Sequence, residues 1–230
     1  MPPISVIIPV LHEPAIHHFL TTLYARFPHA SFEVIIVDGE PQGRSIASIK
    51  GSEVVTLVSK PGRGHQMNAG ARTAKGDILL FLHADTHLPD NAFEKIRETM
   101  DSGTYTAGAF TLRFAGNKKA LSLIARAATL RCRLTRTPYG DQAIFMRRGD
   151  FFRLGGYRDI AVMEDIDLMR RIRKRGERIR LLNEAVLTSA RRWEQEGLIF
   201  SLVRTWILSS LFLCGVAPKR LEPYYRPNRP

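Results

Sequence analysis

"DILLFLHADTHLP", residues Asp77–Pro89, is the stretch on which the reading of this chain turns. Five apolar residues, Ile78 to Leu82, run without interruption and stop at His83-Ala84-Asp85. A short apolar run bounded by turn-forming residues fits a strand buried on both faces. Its end must meet solvent, a ligand or a turn. Asp85 is therefore either a turn residue or a group that holds something, and the flanking segments bear on which.

Upstream, "ISVIIPV" (Ile4–Val10) is a second such run, rich in β-branched residues and ended by a turn at Pro9–Glu13. Pro14 opens a helix to Phe27, with Ile16, Phe19, Leu20 and Leu23 on one face. "FEVIIVD" (Phe32–Asp38) is another buried strand, ending in an acid; a short helix is expected over Ser45–Lys50 and a third strand over Glu53–Val58. "PGRGHQMNAGARTAKG" then makes a glycine-rich turn into a helix that stops near Gly76, just before the Asp77–His83 strand. Strands alternating with helices over short connections imply βαβ units, an α/β fold and a mainly parallel sheet. Such sheets bind ligands at the carboxyl ends of their strands. Pro9–Glu13, Asp38 and Asp85 all fall at such ends. A turn explains either aspartate alone, but polar groups at three matching ends point to a site.

Downstream of Pro89 a helix runs to Met100, "AGAFTLRF" (Ala107–Phe114) is a strand, and Lys118–Arg136 is a long amphipathic helix with Leu121, Ile124, Ala128 and Leu134 inward and arginines outward. "YGDQAIFMRR" (Tyr139–Arg148) turns and re-enters as a strand. After "RLGGYRD", Glu164 and Asp165 begin a helix that ends at Gly176, with Ile166, Met169 and Ile172 as its buried stripe. Acids at its start and arginines at its end suit the helix dipole. The same placement makes one carboxylate a candidate general base, and the two readings do not exclude each other.

The chain has 230 residues and a formal net charge of +12, with 44% hydrophobic and 24% charged residues, the balance of one large folded domain. Nucleic acid, anionic lipid or phosphorylated substrates could answer that charge. Few aromatics interleave with the basic residues, which argues against a single-strand nucleic-acid platform. Cys132 and Cys214 lie far apart without metal-ligand spacing and read as two buried free thiols in a reducing cytoplasm. Strand-like sequence begins at Ile4, so no signal peptide is expected. His65, His83 and His87 lack helical ligand spacing, so no histidine zinc site is expected. "GRGHQMNAG" matches neither a dinucleotide-binding fingerprint nor a Walker A loop; it is either a plain strand-to-helix turn or one whose amides, with Arg63, lie near a diphosphate.

The ordered set "SVIIPVLHE", "EVIIVDG", "GRGHQMNAG", "GDILLFLHADTHLP", "GGY" and "MEDIDL", from Ser5 to about Leu182, resembles the glycosyltransferase family 2 proteins of the GT-A fold. With "YGDQAIF" and "SARRWE" it is similar to a bacterial stand-alone subgroup, the radical-SAM/selenodomain-associated "transferase 2" proteins. The resemblance implies a nucleotide-diphosphate sugar donor, UDP- or GDP-linked, held through Pro9, Glu13 and Asp38 and by Arg63, Gly64, Gln66 and Asn68 of the glycine-rich segment. It places the D-x-D position on His83-Ala84-Asp85, with Asp85 the metal ligand for Mn²⁺ or Mg²⁺. Asp165, with Glu164 beside it, falls on the catalytic base, and Asp141 and Gln142 on the acceptor side. His83 departs from the pattern, standing where the first acid is usual, and "DGEPQGRS" replaces the commoner loop after the second strand. "RRW" at Arg191–Trp193 is similar to a processive-synthase motif but lacks its Gln.

The expectation is an inverting, metal-dependent glycosyltransferase domain over 1–190 and a C-terminal apolar and basic helical extension over 191–230. The rival readings are a sugar-nucleotide nucleotidyltransferase and a basic RNA- or membrane-binding module without catalysis. The first would want a basic glycine-rich loop where "PVLHEP" stands; the second leaves the acids unexplained. In "GLIFSLVRTWILSSLFLCGVAPKR" the uncharged run from Thr205 is roughly thirteen residues, short of the ~20 a spanning helix needs. That stretch is expected to pack on the domain or across a homodimer, or to lie on an anionic membrane surface and bring the protein to a lipid-linked acceptor at the inner face. The protein itself is expected in the cytoplasm.

Overall fold

The computed structural model describes residues 4–49, 53–116 and 118–225. Strand β1 (Ile4–Val10) is the hub of the sheet. It pairs in parallel with β2 (Phe32–Asp38) on one side and β4 (Ile78–Phe81) on the other, and β2 pairs in parallel with β3 (Val54–Val58). The order β3-β2-β1-β4 puts the carboxyl ends of four parallel strands along one edge. Pro9 lies past the last residue of β1 that pairs with β4, so its missing N–H breaks no bond to that strand. Along β1, Ile4, Val6, Ile8 and Val10 face one core and Ile7 the other. Helices α1 (Ile16–Arg26), α3 (Ala92–Asp101) and α4 (Lys119–Thr135) cover the first core; α2 (Arg63–Thr73), α5 (Arg148–Arg153) and α6 (Glu164–Lys174) cover the second. Helix α2 lies so close to β1 that a Cβ on Gly70 would stand 2.5 Å from Ile7 Cγ2, closer than any real contact.

Beyond β4 the sheet changes direction. β7 (Phe145–Arg147) runs antiparallel to both β4 and β6 (Ala107–Phe114), β8 (Ile179–Thr188) runs parallel to β6, and the two-residue β5 (Thr86–His87) closes on the end of β8. The result is a curled, mainly parallel eight-stranded sheet between two helical layers, consistent with the GT-A architecture.

Three expectations need correction, and one strand had no counterpart among them. Residues 44–48 form successive turns rather than a helix, and Lys50 lies outside the described residues. The reason is Asp38, whose carboxylate accepts the N–H groups of Glu40 and Ser45 and so competes with helical bonding. Strand β8 was not anticipated. Its alternation is broken at Asn183-Glu184, where the register with β6 shifts and the single Thr111 hydroxyl proton is shared between the two carbonyls. Leu134 is 77% exposed instead of inward. At 3.6 residues per turn it sits about 140° around α4 from Leu121, and Arg131 turns in instead, its guanidinium 3.5 Å from the Tyr139 ring. Of the two cysteines, only Cys132 is buried; Cys214 is exposed.

After β8, α7 (Arg191–Glu196), α8 (Leu198–Leu213) and α9 (Pro218–Tyr225) fold back over the domain. Leu208, Phe212 and Leu221 pack with Val162, Met163 and Ile166 at the start of α6, and Tyr139 Oη bonds Ser209 Oγ at 2.9 Å. Among the described residues no helix is long and apolar enough to cross a membrane.

Candidate active site

The glycine-rich turn lies about 90 residues before the Gly-Gly loop and the Glu-Asp pair, yet the three meet at Gly64. A Cβ there would stand 3.0 Å from the Arg158 carbonyl and 3.7 Å from Glu164 Cβ. Asn68 holds the loop from one side, donating to the Tyr157 carbonyl and accepting the Tyr157 N–H at 2.7 and 2.9 Å. Arg171, paired with Asp167 at 2.8 Å, holds it from the other through the carbonyls of Leu154 and Gly156. Met163, buried and left-handed at φ 67°, then turns the chain into α6. A non-glycine residue in that region is strained and must be held by its surroundings. Its effect is to set the direction from which Glu164 and Asp165 enter.

Asp165 is half-buried and faces a cleft of about 180 Å³. Its Oδ2 accepts the Gly140 N–H at 2.6 Å and its Oδ1 accepts the Ile166 N–H at 2.7 Å. Two backbone donors fix the carboxylate, and each oxygen keeps a lone pair for a further partner. A Cβ on Gly140 would lie 3.3 Å from His83 Nε2 and 3.4 Å from Asp165 Oδ2, so strand end and helix start converge on that glycine. Asp85 lies on the same cleft, exposed, and its carboxylate takes a 3.3 Å bond from Thr86 Oγ1. Arg63, Tyr139, Asp141, Trp193 and Tyr225 also line it.

Glu164 is 6% exposed and does not line the cleft. Burial first, then the adjacent Asp165 charge, push its carboxyl up to about 7, and Arg63 only partly counters them. Arg63 is exposed at the cleft wall. Desolvation of its guanidinium opposes the charge, but Tyr225, Glu164 and Asp165 outweigh that and raise its pKa. It stays a fixed cation at the cleft wall.

Other residues anticipated here have structural partners. Asp38 is fully buried, with both carboxylate oxygens on backbone amides; Ser45, which it holds, accepts the Glu13 N–H at 3.2 Å. This ties the loop after β2 to the loop after β1, where Glu13 is half-buried. Gln66 donates from Nε2 to the carbonyls of Val10 and Val37, both at 2.7 Å, and so clamps the ends of β1 and β2. Gln142 donates to the Phe110 carbonyl and accepts the Tyr139 N–H, stabilising the 3₁₀ turn Gly140–Gln142 that presents Asp141. The structure thus brings Asp165, His83, Asp85, Arg63 and Asp141 to one cleft. It places Asp38, Gln66 and Asn68 in the frame behind it. Trp193, seen only within the motif, packs edge-on against Phe114 at 5.3 Å and forms part of the cleft wall.

The family model described as "Glycosyl transferase family 2" matches residues 5–158, two-thirds of the chain. The chain belongs to glycosyl transferase family 2. An "Uncharacterized glycosyltransferase" of Haemophilus influenzae is 32% identical over 101 residues, covering 43% of this chain and about a third (34%) of that relative's length. The family match ends before Glu164 and Asp165, and before the three C-terminal helices. The position of Asp165 on the cleft, with Glu164 buried behind it, therefore rests on the geometry just described.

Sequence reading passed over several residues. Tyr225 reaches Arg63 from the far end of the chain, and no periodicity could signal that pairing. Glu40 is 5% exposed beside Asp38, with His12 and Arg44 at 3.4 and 3.3 Å. A buried acid in a polar loop is visible only in three dimensions. Ser201, Thr205 and Ser209, which put α8 on the cleft, do follow a four-residue spacing that could have been read as one helical face.

The histidines do not gather. His65 pairs with Asp159 at 2.8 Å, and the His87 ring packs at a tilt against Phe19. Among the described residues no group of three or more His, Cys, Asp or Glu side chains is arranged to hold a metal. Asp85 with His83 near it does not fit a resident metal cage. A hard cation there would need most of its oxygen ligands from outside the protein.

Proposed function

We propose that the cleft transfers a sugar from a UDP- or GDP-linked donor to an acceptor hydroxyl with inversion at the anomeric carbon. The observation that carries the reading is the convergence of Asp165, Asp85, His83 and Arg63 at the carboxyl ends of the parallel strands. The acceptor oxygen attacks the anomeric carbon, its proton passes to the free lone pair of Asp165, and the bond to the diphosphate breaks to release the nucleoside diphosphate. Asp165 is chosen over Glu164 because it faces the cleft as a positioned carboxylate, whereas Glu164 is buried behind it. Arg63 opposes the charge that develops on the leaving group. Mn²⁺ or Mg²⁺, held by Asp85 and the donor phosphates, would add to that charge stabilisation.

The acceptor proposed here is lipid-linked, and the proposed place of action is the cytoplasmic face of a membrane. α8 lines the cleft with Ser201, Thr205 and Ser209 while Ile199, Phe200, Val203 and Ile207 of the same helix stay exposed. An anionic lipid surface would cover that face and suit the +12 charge. A second copy of the chain is the competing occupant.

The test is nucleoside diphosphate release from a panel of sugar donors, followed with and without Mn²⁺. Asp165→Asn is expected to lower turnover by about 100-fold or more while donor affinity stays within a few-fold. Unchanged turnover would remove Asp165 as the base.

A further inference from the structure

Beside the cleft lies a second, open cavity of about 380 Å³. The same two segments wall both: Arg131 and Tyr139 face the cleft, and their chain neighbours Cys132 and Pro138 face this cavity. Its floor is Cys132, Pro138, Ile179 and Leu181, with Tyr105 at one side; its rim is Arg133, Arg136, Arg178 and Arg180. No carboxylate lines it.

Four guanidinium groups around one cavity are all charged at any physiological pH; all four are exposed, so solvent screens their repulsion, but together they concentrate positive charge at one place. The protein supplies little opposing charge. Arg133 donates to the Asn183 side-chain carbonyl at 3.0 Å, and Arg180 donates to Tyr105 Oη at 3.3 Å, both neutral partners. Among the described residues the side chains of Arg136 and Arg178 have no hydrogen-bond or ion-pair partner. Acids that might have answered this charge are held elsewhere. Glu177, next in sequence to Arg178, forks onto Arg153 at 2.9 and 3.1 Å, and Asp101 pairs with Arg147. Arg173, bonded to Thr137 Oγ1 at 3.2 Å, adds a fifth cation beside the same turn. A dipole account covers Arg133 and Arg136 at the end of α4, but Arg178, just before β8, and Arg180, within it, have no such reason to be there.

We infer that this cavity is a binding site for a phosphate-bearing ligand, its phosphoryl oxygens held by the arginine rim and its organic part on the apolar floor. Guanidinium forks match phosphate oxygens in pairs, which gives such a site specificity as well as charge. The ligand is either a free phosphate ester or a phospholipid headgroup. The inference does not depend on the transfer reaction proposed for the cleft.

The test uses the full chain and the variant R136Q/R178Q, which removes two charges whose side chains hold nothing in the fold. Pyrophosphate binding is followed by calorimetry at about 0.15 M salt, and flotation is measured with phosphatidylcholine vesicles with and without phosphatidic acid. R126Q, elsewhere on α4, controls for loss of charge alone. Saturable pyrophosphate binding weakened tenfold or more in R136Q/R178Q but not in R126Q identifies a free phosphate ligand. Flotation with phosphatidic acid that is lost in R136Q/R178Q alone identifies a headgroup. Pyrophosphate binding abolished by Arg63→Gln and untouched by R136Q/R178Q would put the anion in the cleft and overturn the inference. So would vesicle binding weakened equally by R126Q, or no binding of either probe.

Discussion

Glu164 gives the sharpest quantitative test of the site's electrostatics. Its carboxyl is pushed from an ordinary 4.5 up to about 7, first by burial and then by Asp165. The folded protein therefore binds this proton more tightly than the unfolded chain. Stability contributed by the group is fully present below about pH 4.5 and is lost as pH rises through 7. At ~1.4 kcal/mol per unit the whole span is about 3 kcal/mol. With Glu164 only 6% exposed, little solvent screening reduces it. Glu164→Gln keeps the shape and removes the proton. The variant's stability relative to wild type should therefore improve between pH 5 and pH 8 by up to about 3 kcal/mol, whatever constant offset the amide brings. For a chain of this size that is roughly 6–12 °C in midpoint temperature. Urea denaturation of both proteins at pH 5, 6, 7 and 8 reads the difference directly; titrations of groups that do not interact with Glu164 cancel in it, so the difference belongs to Glu164 together with its neighbour Asp165. Parallel curves, with the difference constant to about 0.5 kcal/mol, would mean that Glu164 titrates alike in both states and that the buried-acid argument is wrong.

Gln66→Ala removes the side-chain donor from the Val37 carbonyl and one of two donors from the Val10 carbonyl, which keeps the Gly39 N–H; a loss of about 1–3 kcal/mol is expected, read from the urea midpoint, and a loss under 0.5 would show that water replaces the amide. Gly140→Ala puts a methyl 3.3 Å from His83 Nε2 and 3.4 Å from Asp165 Oδ2; donor turnover should fall severalfold with little change in midpoint temperature, and unaltered turnover would show that the two side chains shift freely. Asp85→Ala should remove Mn²⁺-dependent binding of UDP or GDP in a thermal-shift assay, while equal metal dependence in the variant would reduce Asp85 to a turn residue. Trp206→Asp with Ile207→Asp, both at exposed positions of α8, should abolish flotation with anionic vesicles; if instead a dimer becomes a monomer and the wild type never floats, the apolar face is a subunit contact.

How much of this was legible in the sequence follows from which forces act locally. The strands β1, β2 and β4 were readable because burial on both faces demands unbroken apolar runs, and those runs end where the sheet ends. The parallel arrangement followed from the alternation with helices, and with it the edge on which Asp85 sits. The stripe Ile166, Met169 and Ile172 was readable for the same reason, at a period of 3.6. Strand β8 was not, because a bulge at Asn183-Glu184 breaks the alternation and only pairing with β6 makes the segment a strand. The site divides in the same way. Residue types at the right order along the chain singled out Asp85, Asp165, Arg63 and His83. Only the fold separated them from Asp38, Gln66 and Asn68, because whether a polar side chain faces a cleft or a buried backbone amide depends on what packs against it. The raised proton affinity of Glu164, the reach of Tyr225 to Arg63 and the four arginines around one cavity arise between segments distant in sequence. Desolvation and charge act over a few ångströms of space, and no spacing along the chain encodes that distance.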